Sequence, residues 1–226
     1  MQDNRDDAAR LTARALLDIG AVLFSPHAPF TFTSGRASPV YVDCRAVMSY
    51  PRVRAELMRL GQHALDRDAG LACFDAVAGG ETAGIPFAAW MAERMGLPMA
   101  YVRKKPKGFG RGARIEGHLP EGARVLLVED LATDGGSKVD FIDALREAGA
   151  GVEHAFVLFH YATFPESGEA LAARGVRLHA LTTWWETLAE AGRRGDLTHE
   201  GLAVVRRFLE APDAWSAAHT PDDTDA

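Results

Sequence analysis

Short apolar runs alternate with helical patterns along most of the chain, and this rhythm limits the possible folds more than any other feature. It predicts strands at 75–78, 99–102, 125–128, 155–159 and 177–181, and helices at 85–95, 139–148 and 164–173. Strands separated by helices of about ten residues form a parallel sheet that helices cover on both faces. Ligands of such sheets bind at the carboxyl ends of the strands, so we expect the chemistry just after Ala78, Val102 and Val128.

The N-terminal segment predicts smaller elements. Residues 5–19 have the apolar spacing of an amphipathic helix that ends at Gly20. Residues 30–41 alternate as short strands joined by a turn, and Pro51 marks the start of a second helix that runs to about Arg67.

The C-terminal segment is less regular. Trp184 and Trp185 stand near the end of the last predicted strand, where we expect them to pack in the core or in a dimer interface. Residues 196–210 predict a terminal amphipathic helix, with Leu197, Leu202, Val205 and Phe208 on its apolar face, that caps either the site or a dimer interface. The acidic, proline-containing segment after Ala211 is expected to be disordered.

Charge and composition exclude several classes of protein. The chain has 25 Lys and Arg against 31 Asp and Glu, a net charge of −6, which argues against general binding to nucleic acid or anionic membranes. No apolar run approaches the ~18–20 residues of a membrane span, and four aspartates in the first twenty residues argue against a secretory signal, so we expect a cytoplasmic protein. Two cysteines, Cys44 and Cys73, are too few for a disulfide framework.

The strongest local signal follows the predicted strand at 125–128. Glu129 and Asp130 stand at its end, and the turn from Thr133 to Ser137 is rich in glycine and hydroxyl groups ahead of a helix. Such a turn points backbone N–H groups at an anion, and the helix N-terminus adds a favourable dipole. Carboxylates beside a phosphate site are explained by a sugar diol, whose hydroxyls donate to them, with Mg²⁺ reducing the repulsion.

A basic loop, residues 103–114, follows another predicted strand. It carries six cations and no carboxylate, and three glycines, Gly108, Gly110 and Gly112, interrupt it. Cations on a flexible loop at a strand end favour a lid that folds over a pyrophosphate. A solvated charged loop is the alternative.

A third loop, from Gly79 to Pro86, begins with consecutive glycines. Two glycines at a strand end permit close approach of a ligand or an unusual peptide geometry. A simple turn before the next helix explains this segment equally well.

These loops, together with the segment Phe30-Thr-Phe-Thr-Ser-Gly-Arg-Ala-Ser-Pro-Val-Tyr-Val-Asp-Cys-Arg45, resemble the type I phosphoribosyltransferases, and among them the orotate phosphoribosyltransferases. The resemblance implies an α/β fold with a central parallel sheet and a small N-terminal hood. We divide the chain into an N-terminal helix and hood segment (1–50), the core (51–195), a C-terminal helix (196–211) and a disordered tail (212–226). The resemblance also implies a homodimer that uses Mg²⁺ to convert orotate and phosphoribosyl pyrophosphate (PRPP) to orotidine 5′-phosphate and pyrophosphate. This reaction belongs to pyrimidine (UMP) biosynthesis.

The resemblance assigns roles to individual residues. Glu129, Asp130 and Lys107 would be catalytic, Mg²⁺ would arrive with PRPP near the two carboxylates without a dedicated protein site, and the basic loop would reach the neighbouring subunit. The PRPP-binding residues would be Arg103, Lys104, Lys107, Glu129, Asp130, Leu131, Ala132, Thr133, Asp134, Gly135, Gly136 and Ser137. The orotate-binding residues would be Phe32, Thr33, Gly35, Arg36 and Thr133.

Three positions depart from the family pattern. Many relatives have Lys, His and Arg where this chain has Thr33, Phe109 and His160. We expect Gly35, Arg36 and the backbone of Phe32 to supply the orotate contacts instead, and Arg111 or Arg114 the missing loop charge. Two alternatives remain. One is a regulator that senses PRPP or nucleotides without catalysis, and the other is a phosphoribosyltransferase for a different base.

Overall fold

The computed structural model describes residues 2–32, 34–105, 114–133, 136–163 and 165–220. Short 3-10 helices, Cys44–Ser49 and Leu71–Cys73, flank the second α-helix. Within the described ranges, no helix has both the length and the apolar character that crossing a membrane requires. The α-helices are α1 (Gln2–Asp18), α2 (Pro51–Asp68), α3 (Gly84–Met95), α4 (Gly136–Glu147), α5 (Pro165–Ala172), α6 (Trp184–Arg194), α7 (His199–Glu210) and α8 (Pro212–His219).

The strands form one large sheet and two small ones. The small sheets are the antiparallel pairs β1–β4 and β2–β3 in the N-terminal segment, and the large sheet takes the other six strands. The strands are β1 (Val22–Phe24), β2 (Phe30–Thr31), β3 (Ala37–Ser38), β4 (Val40–Val42), β5 (Ala76–Gly80), β6 (Met99–Val102), β7 (Ile115–Glu116), β8 (Arg124–Ala132), β9 (Gly151–His160) and β10 (Arg177–Thr183).

The large sheet has the order β10-β9-β8-β5-β6-β7, with only β7 antiparallel to its neighbour. After β5, the next strand of the chain, β6, is added on one side of the sheet. After β8, the strands β9 and β10 are added on the other side. The strand order therefore reverses between β5 and β8, and open α/β sheets bind their ligands at such a reversal. The predicted α/β fold with a central, mostly parallel sheet is confirmed.

Residues of β8 alternate between two cores, one on each face of the sheet. Val125 and Leu127 pack in the core that includes Ile142 of α4, whereas Leu126 and Val128 join the larger core built on α1, α2 and α3. Alternation of this kind follows from the two-residue period of a strand. Because both faces are packed, the carboxyl end of β8 is a fixed platform for side chains.

The predicted end of this strand is wrong, because β8 continues past Val128 to Ala132. Glu129 and Asp130 therefore lie inside the strand and not beyond its end. The strand was predicted to end at Val128 because the next two residues are carboxylates, and an unpartnered carboxylate is costly to bury. Here the backbone N–H of Gly80 on the neighbouring strand donates to Glu129.

A helix at 184–194 was not predicted, and the tryptophan pair opens it instead of ending a strand. Thr183 caps α6, accepting from the N–H of Trp185, while Glu186 accepts from the N–H of Thr183. The expected core position is confirmed for Trp184, which is fully buried against Phe159 with ring centroids 4.9 Å apart.

The prediction of disorder is wrong for residues 212–219, because α8 spans Pro212–His219, while residues 221–226 lie outside the described residues. Pro212 occupies the first turn, where its missing N–H costs nothing. Trp215 anchors the helix, since it is 7% exposed and packs edge-on against Phe208 of α7. The acidic, proline-containing composition suggested disorder, but the ring contacts of Trp215 with Phe208 and His219 hold this helix in place.

Candidate active site

The carboxyl ends of β5 and β8 meet at the point where the strand order reverses. The N–H of Gly80 donates to Glu129 Oε1 at 2.7 Å, joining the glycine loop to the carboxylate pair. A side chain at Gly80 would overlap both Glu129 and Phe141, and a side chain at Gly84 would overlap the Glu129 carboxylate. Both glycines are thus required by close packing, and the peptide bond between Glu81 and Thr82 in this loop is cis.

Glu129 and Asp130 are buried carboxylates, 7% and 8% exposed. Burial raises the pKa of Glu129 to about 7, against the lowering effects of Lys138 and of the Gly80 N–H. Burial also raises the pKa of Asp130, which accepts from the N–H of Leu131 at 2.9 Å. Two carboxylates held out of water beside a loop of small residues suit hydroxyl donors better than a second anion.

Lys138, which was not predicted as a site residue, lies close enough to the carboxylate pair to act on its charge. The predicted helix began at Val139, but α4 begins at Gly136, so Lys138 lies in its first turn and is 4% exposed. Its charge lowers the pKa of Glu129, Asp130 and His160. An ammonium in this position partly offsets the cost of burying two carboxylates.

A cavity of about 400 Å³, here called the carboxylate cavity, opens beside this pair. The side of Glu129 faces it, and Lys104 and Arg45 bring positive charge to its wall. The backbone N–H of Lys104 donates to Glu81 Oε2 at 2.8 Å, which ties the basic loop to the glycine loop. Its lining is Arg45, Met48, Glu81, Thr82, Ala83, Lys104, Glu129 and Phe141.

The basic loop is described only at its two ends. Arg103 lies 3.8 Å from the Glu116 carboxylate, and the Nε of Arg114 donates to the carbonyl of Arg103 at 3.3 Å. Lys107, Phe109 and Arg111 lie outside the described residues. The proposed contacts of Lys107 therefore stay a prediction.

A second cavity of about 330 Å³, here called the aromatic cavity, opens beyond the end of β8. It contains Phe32, Arg36 and Thr133 from the predicted orotate-binding set. Gly35 shapes the same loop, with a φ of +80° and an N–H that donates to the Phe32 carbonyl. Its lining is Phe32, Ser34, Arg36, Ala37, Thr133, Tyr161 and Phe208.

Other predicted site residues fall in different places. Leu131 and Ala132 are the last residues of β8, and Gly136 and Ser137 are the first of α4. Thr33, Asp134 and Gly135 lie outside the described residues.

His160, where relatives have Arg, is the last residue of β9 and pairs in register with Ala132. Burial and the charge of Lys138 lower its pKa, because both disfavour the charged imidazolium. Tyr161 and Phe208 also line the aromatic cavity. No local pattern marks Tyr161, and Phe208 was predicted only as an apolar position of the terminal amphipathic helix.

The fold and this strand-end site define a phosphoribosyltransferase, and residues 63–174 match the family model described as a phosphoribosyl transferase domain. The structure is similar to that of orotate phosphoribosyltransferase from Aeropyrum pernix, with a TM-score of 0.69 and 36% identity over 80% of this chain and 98% of that one. It is also similar to the Mycobacterium tuberculosis orotate phosphoribosyltransferase in complex with PRPP, with a TM-score of 0.61 and 26% identity over 81% of this chain and 98% of that one.

Sequence similarity narrows the class further. The chain is 58% identical over 219 residues to orotate phosphoribosyltransferase from Cereibacter sphaeroides, covering 97% of this chain and 94% of that protein. The chain belongs to the orotate phosphoribosyltransferase family. The resemblance inferred from the motifs is thereby confirmed, and neither a regulator nor an enzyme for another base finds support in these relatives.

Proposed function

We propose that this chain transfers the 5-phosphoribosyl group of PRPP to a ring nitrogen of orotate, releasing pyrophosphate and forming orotidine 5′-phosphate. The observation that carries the proposal is the buried pair Glu129 and Asp130 at the reversal of strand order, between a polar cavity and an aromatic one. PRPP carries a diol and phosphates, and orotate is its planar acceptor. Together they match the carboxylate pair, the polar cavity and the aromatic cavity.

The ribose and its 5′-phosphate would bind along the end of β8. Glu129 and Asp130 would accept hydrogen bonds from the two ribose hydroxyls. The turn from Leu131 to Ser137 and the N-terminus of α4 would receive the 5′-phosphate, since free backbone N–H groups and the helix dipole favour an anion there. Thr133 would stand between ribose and base, because it lines the aromatic cavity directly after β8.

The pyrophosphate would occupy the carboxylate cavity. Arg103, Lys104 and Lys107 would stabilise its charge as it leaves, and the loop after Gly80 would contact it through the backbone. As the bond from C1 to pyrophosphate stretches, positive charge develops on the ribose ring, and the carboxylates of Glu129 and Asp130 would stabilise it. Closure of the basic loop would exclude the water that otherwise attacks this centre.

Mg²⁺ fits this site as a companion of the substrate. Within the described ranges, no three His, Cys, Asp or Glu side chains are grouped so as to hold a metal ion. Mg²⁺ commonly binds through one or two carboxylates together with substrate phosphates, and the carboxylates of Glu81 and Glu129 line the cavity, with Asp130 next to Glu129 in β8. When bound, Mg²⁺ would neutralise part of the pyrophosphate charge.

The chain would act as a cytoplasmic homodimer in which each basic loop serves the neighbouring site. Mixing Lys107→Ala with Asp130→Asn protein tests this arrangement, since a mixed dimer holds one site with both intact groups only if the loop acts in trans. We expect the mixture to recover on the order of a quarter of the wild-type rate after subunit exchange. A mixture as inactive as the two parents, with exchange confirmed by mass, would contradict loops acting in trans.

The proposed reaction itself is tested by pyrophosphate release with orotate, adenine and hypoxanthine in parallel. We expect turnover with orotate and PRPP in the presence of Mg²⁺, and none above background with the purines. Turnover with a purine, or with none of the three, would overturn the proposal.

A further inference from the structure

The aromatic cavity is bordered by α7, the terminal amphipathic helix for which the sequence does not distinguish a cap over the site from a dimer contact. Phe208 of α7 is 4% exposed and lines this cavity together with Phe32 and Arg36 of the N-terminal segment. Some 170 residues of sequence separate Phe208 from these two residues. The lining is therefore complete only when α7 is docked.

The position of Phe208 is fixed by α8. Its ring meets Trp215 edge-on, with centroids 5.4 Å apart and planes at 83°. Trp215 in turn stacks on His219 at 3.8 Å and is 7% exposed. Edge-on aromatic pairs hold a definite geometry, so α8 sets where the Phe208 ring faces the cavity.

α8 also contacts the loop that carries Arg36, through an ion pair. Asp213 pairs with the guanidinium of Arg36, whose side chain is 42% exposed while that of Asp213 is 80% exposed. Exposed ion pairs of this kind add little to stability. The contact instead orients Arg36, because the ion pair restricts the conformations of this long side chain in the cavity lining.

We infer that α7 and α8 complete the pyrimidine pocket, with Phe208 as a specificity-determining wall and Asp213 as a positioning residue for Arg36. This inference rests on the proposed function. The ligand is a flat ring with an attached carboxylate. The ring would pack against Phe208, and the carboxylate would meet Arg36, which is the cation among the described lining residues.

The first test compares Asp213→Ala with Asp196→Ala. Asp196 also pairs with an arginine, Arg194, at 2.8 Å, but Arg194, unlike Arg36, does not line the cavity. We expect Asp213→Ala to raise the KM for orotate about twofold to fivefold, the range for loss of an exposed ion pair, with kcat and the KM for PRPP unchanged. The Asp196→Ala protein should match the wild type, and equal KM values for orotate in the two variants would overturn the role of Asp213.

The second test compares Phe208→Leu with Leu209→Ala. Leu209 is its neighbour on α7, 2% exposed and absent from the cavity lining. We expect Phe208→Leu to raise the KM for orotate roughly two- to tenfold and to leave the KM for PRPP unchanged, while Leu209→Ala lowers thermal stability and leaves both KM values unchanged. An unchanged KM for orotate in Phe208→Leu, or equal increases in both variants, would overturn the role of Phe208.

The inference and the proposed function fail in distinguishable ways. If the wild-type protein releases no pyrophosphate with orotate, the proposed function fails. If the wild type turns over and the substitutions at 208 and 213 leave the KM for orotate where it was, the inference alone fails.

Discussion

The residues assigned to the ribose and its 5′-phosphate follow one another along positions 129–137, whereas the aromatic cavity draws on segments as distant as Phe32 and Phe208. The first region is charged and packed so tightly against the neighbouring loop that Gly80 and Gly84 admit no side chain. The second is largely apolar, and its lining comes from separate segments around Phe32, Thr133, Tyr161 and Phe208. The chemistry that binds the diol and the 5′-phosphate is thus encoded locally, while the base pocket is a product of the tertiary fold.

The largest expected effect is on the locally encoded side. Asp130→Asn removes a buried charge that would stabilise the ribosyl cation, so we expect kcat to fall on the order of 10²–10³-fold while the fold survives. Pyrophosphate release and far-UV circular dichroism measure the two quantities. Asp143→Asn is the matched control, because Asp143 lies further along α4 and pairs with Arg174. Near-normal turnover in Asp130→Asn would remove Asp130 from the site.

Replacing Lys138 tests the residue that the sequence analysis missed. Lys138→Met keeps the length of the side chain and removes the charge that lowers the pKa of Glu129 and Asp130. Both carboxyls should then hold their protons to higher pH, and we expect the affinity for PRPP at pH 7 to fall about 10-fold or more. Isothermal titration with PRPP and Mg²⁺ across pH 6–9 measures this, and an affinity profile that does not move to higher pH would contradict the role.

The pH dependence of PRPP binding follows from the pKa of Glu129, about 7. Below this pH the carboxyl is protonated and loses its full capacity as an acceptor for the ribose hydroxyls. We therefore expect kcat/KM for PRPP to fall with decreasing pH below about 7, by up to about tenfold per pH unit, with a plateau above it. The Glu129→Gln variant should have low activity that does not fall further as the pH drops below about 7. A fall at the same pH in that variant would assign the pH dependence to another group.

The smallest effect concerns packing behind the carboxylate. An alanine at Gly84 would push its Cβ into the Glu129 carboxylate, so we expect Gly84→Ala to lose roughly 1–3 kcal/mol of unfolding free energy and several-fold in PRPP affinity. Gly168→Ala is the control, because Gly168 lies in α5 with open space around it. It should gain up to about 1 kcal/mol from helix propensity. Equal stability of the two variants would show that the carboxylate can move aside.

Much of the core was predictable because its signals are periodic and local. The strands at 75–78, 99–102, 125–128, 155–159 and 177–181 are all present, and the carboxylates at 129 and 130 are where the strand-end rule places chemistry. Errors arose where a tertiary contact overrode composition. Glu129 and Asp130 extend β8 because Gly80 and Lys138 partner them, and Trp215 orders a segment whose acidic composition suggested disorder.

The missed elements differ in whether the sequence held a usable signal. Thr183-Trp-Trp-Glu186 is a capping box that announces α6, and it could have been found. Lys138 could be found only by starting α4 at Gly136. Tyr161 carries no local mark, and Phe208 is marked only as an apolar position of an amphipathic helix, since the cavity that each lines depends on which distant loop packs against it.

A crystal structure of the chain with PRPP, Mg²⁺ and orotate tests the two-sided site most directly. We predict ribose hydroxyls within hydrogen-bond distance of Glu129 and Asp130, and in the same complex the orotate ring against Phe208 with its carboxylate on Arg36. Ribose held away from the two carboxylates, or orotate bound outside the aromatic cavity, would contradict the account.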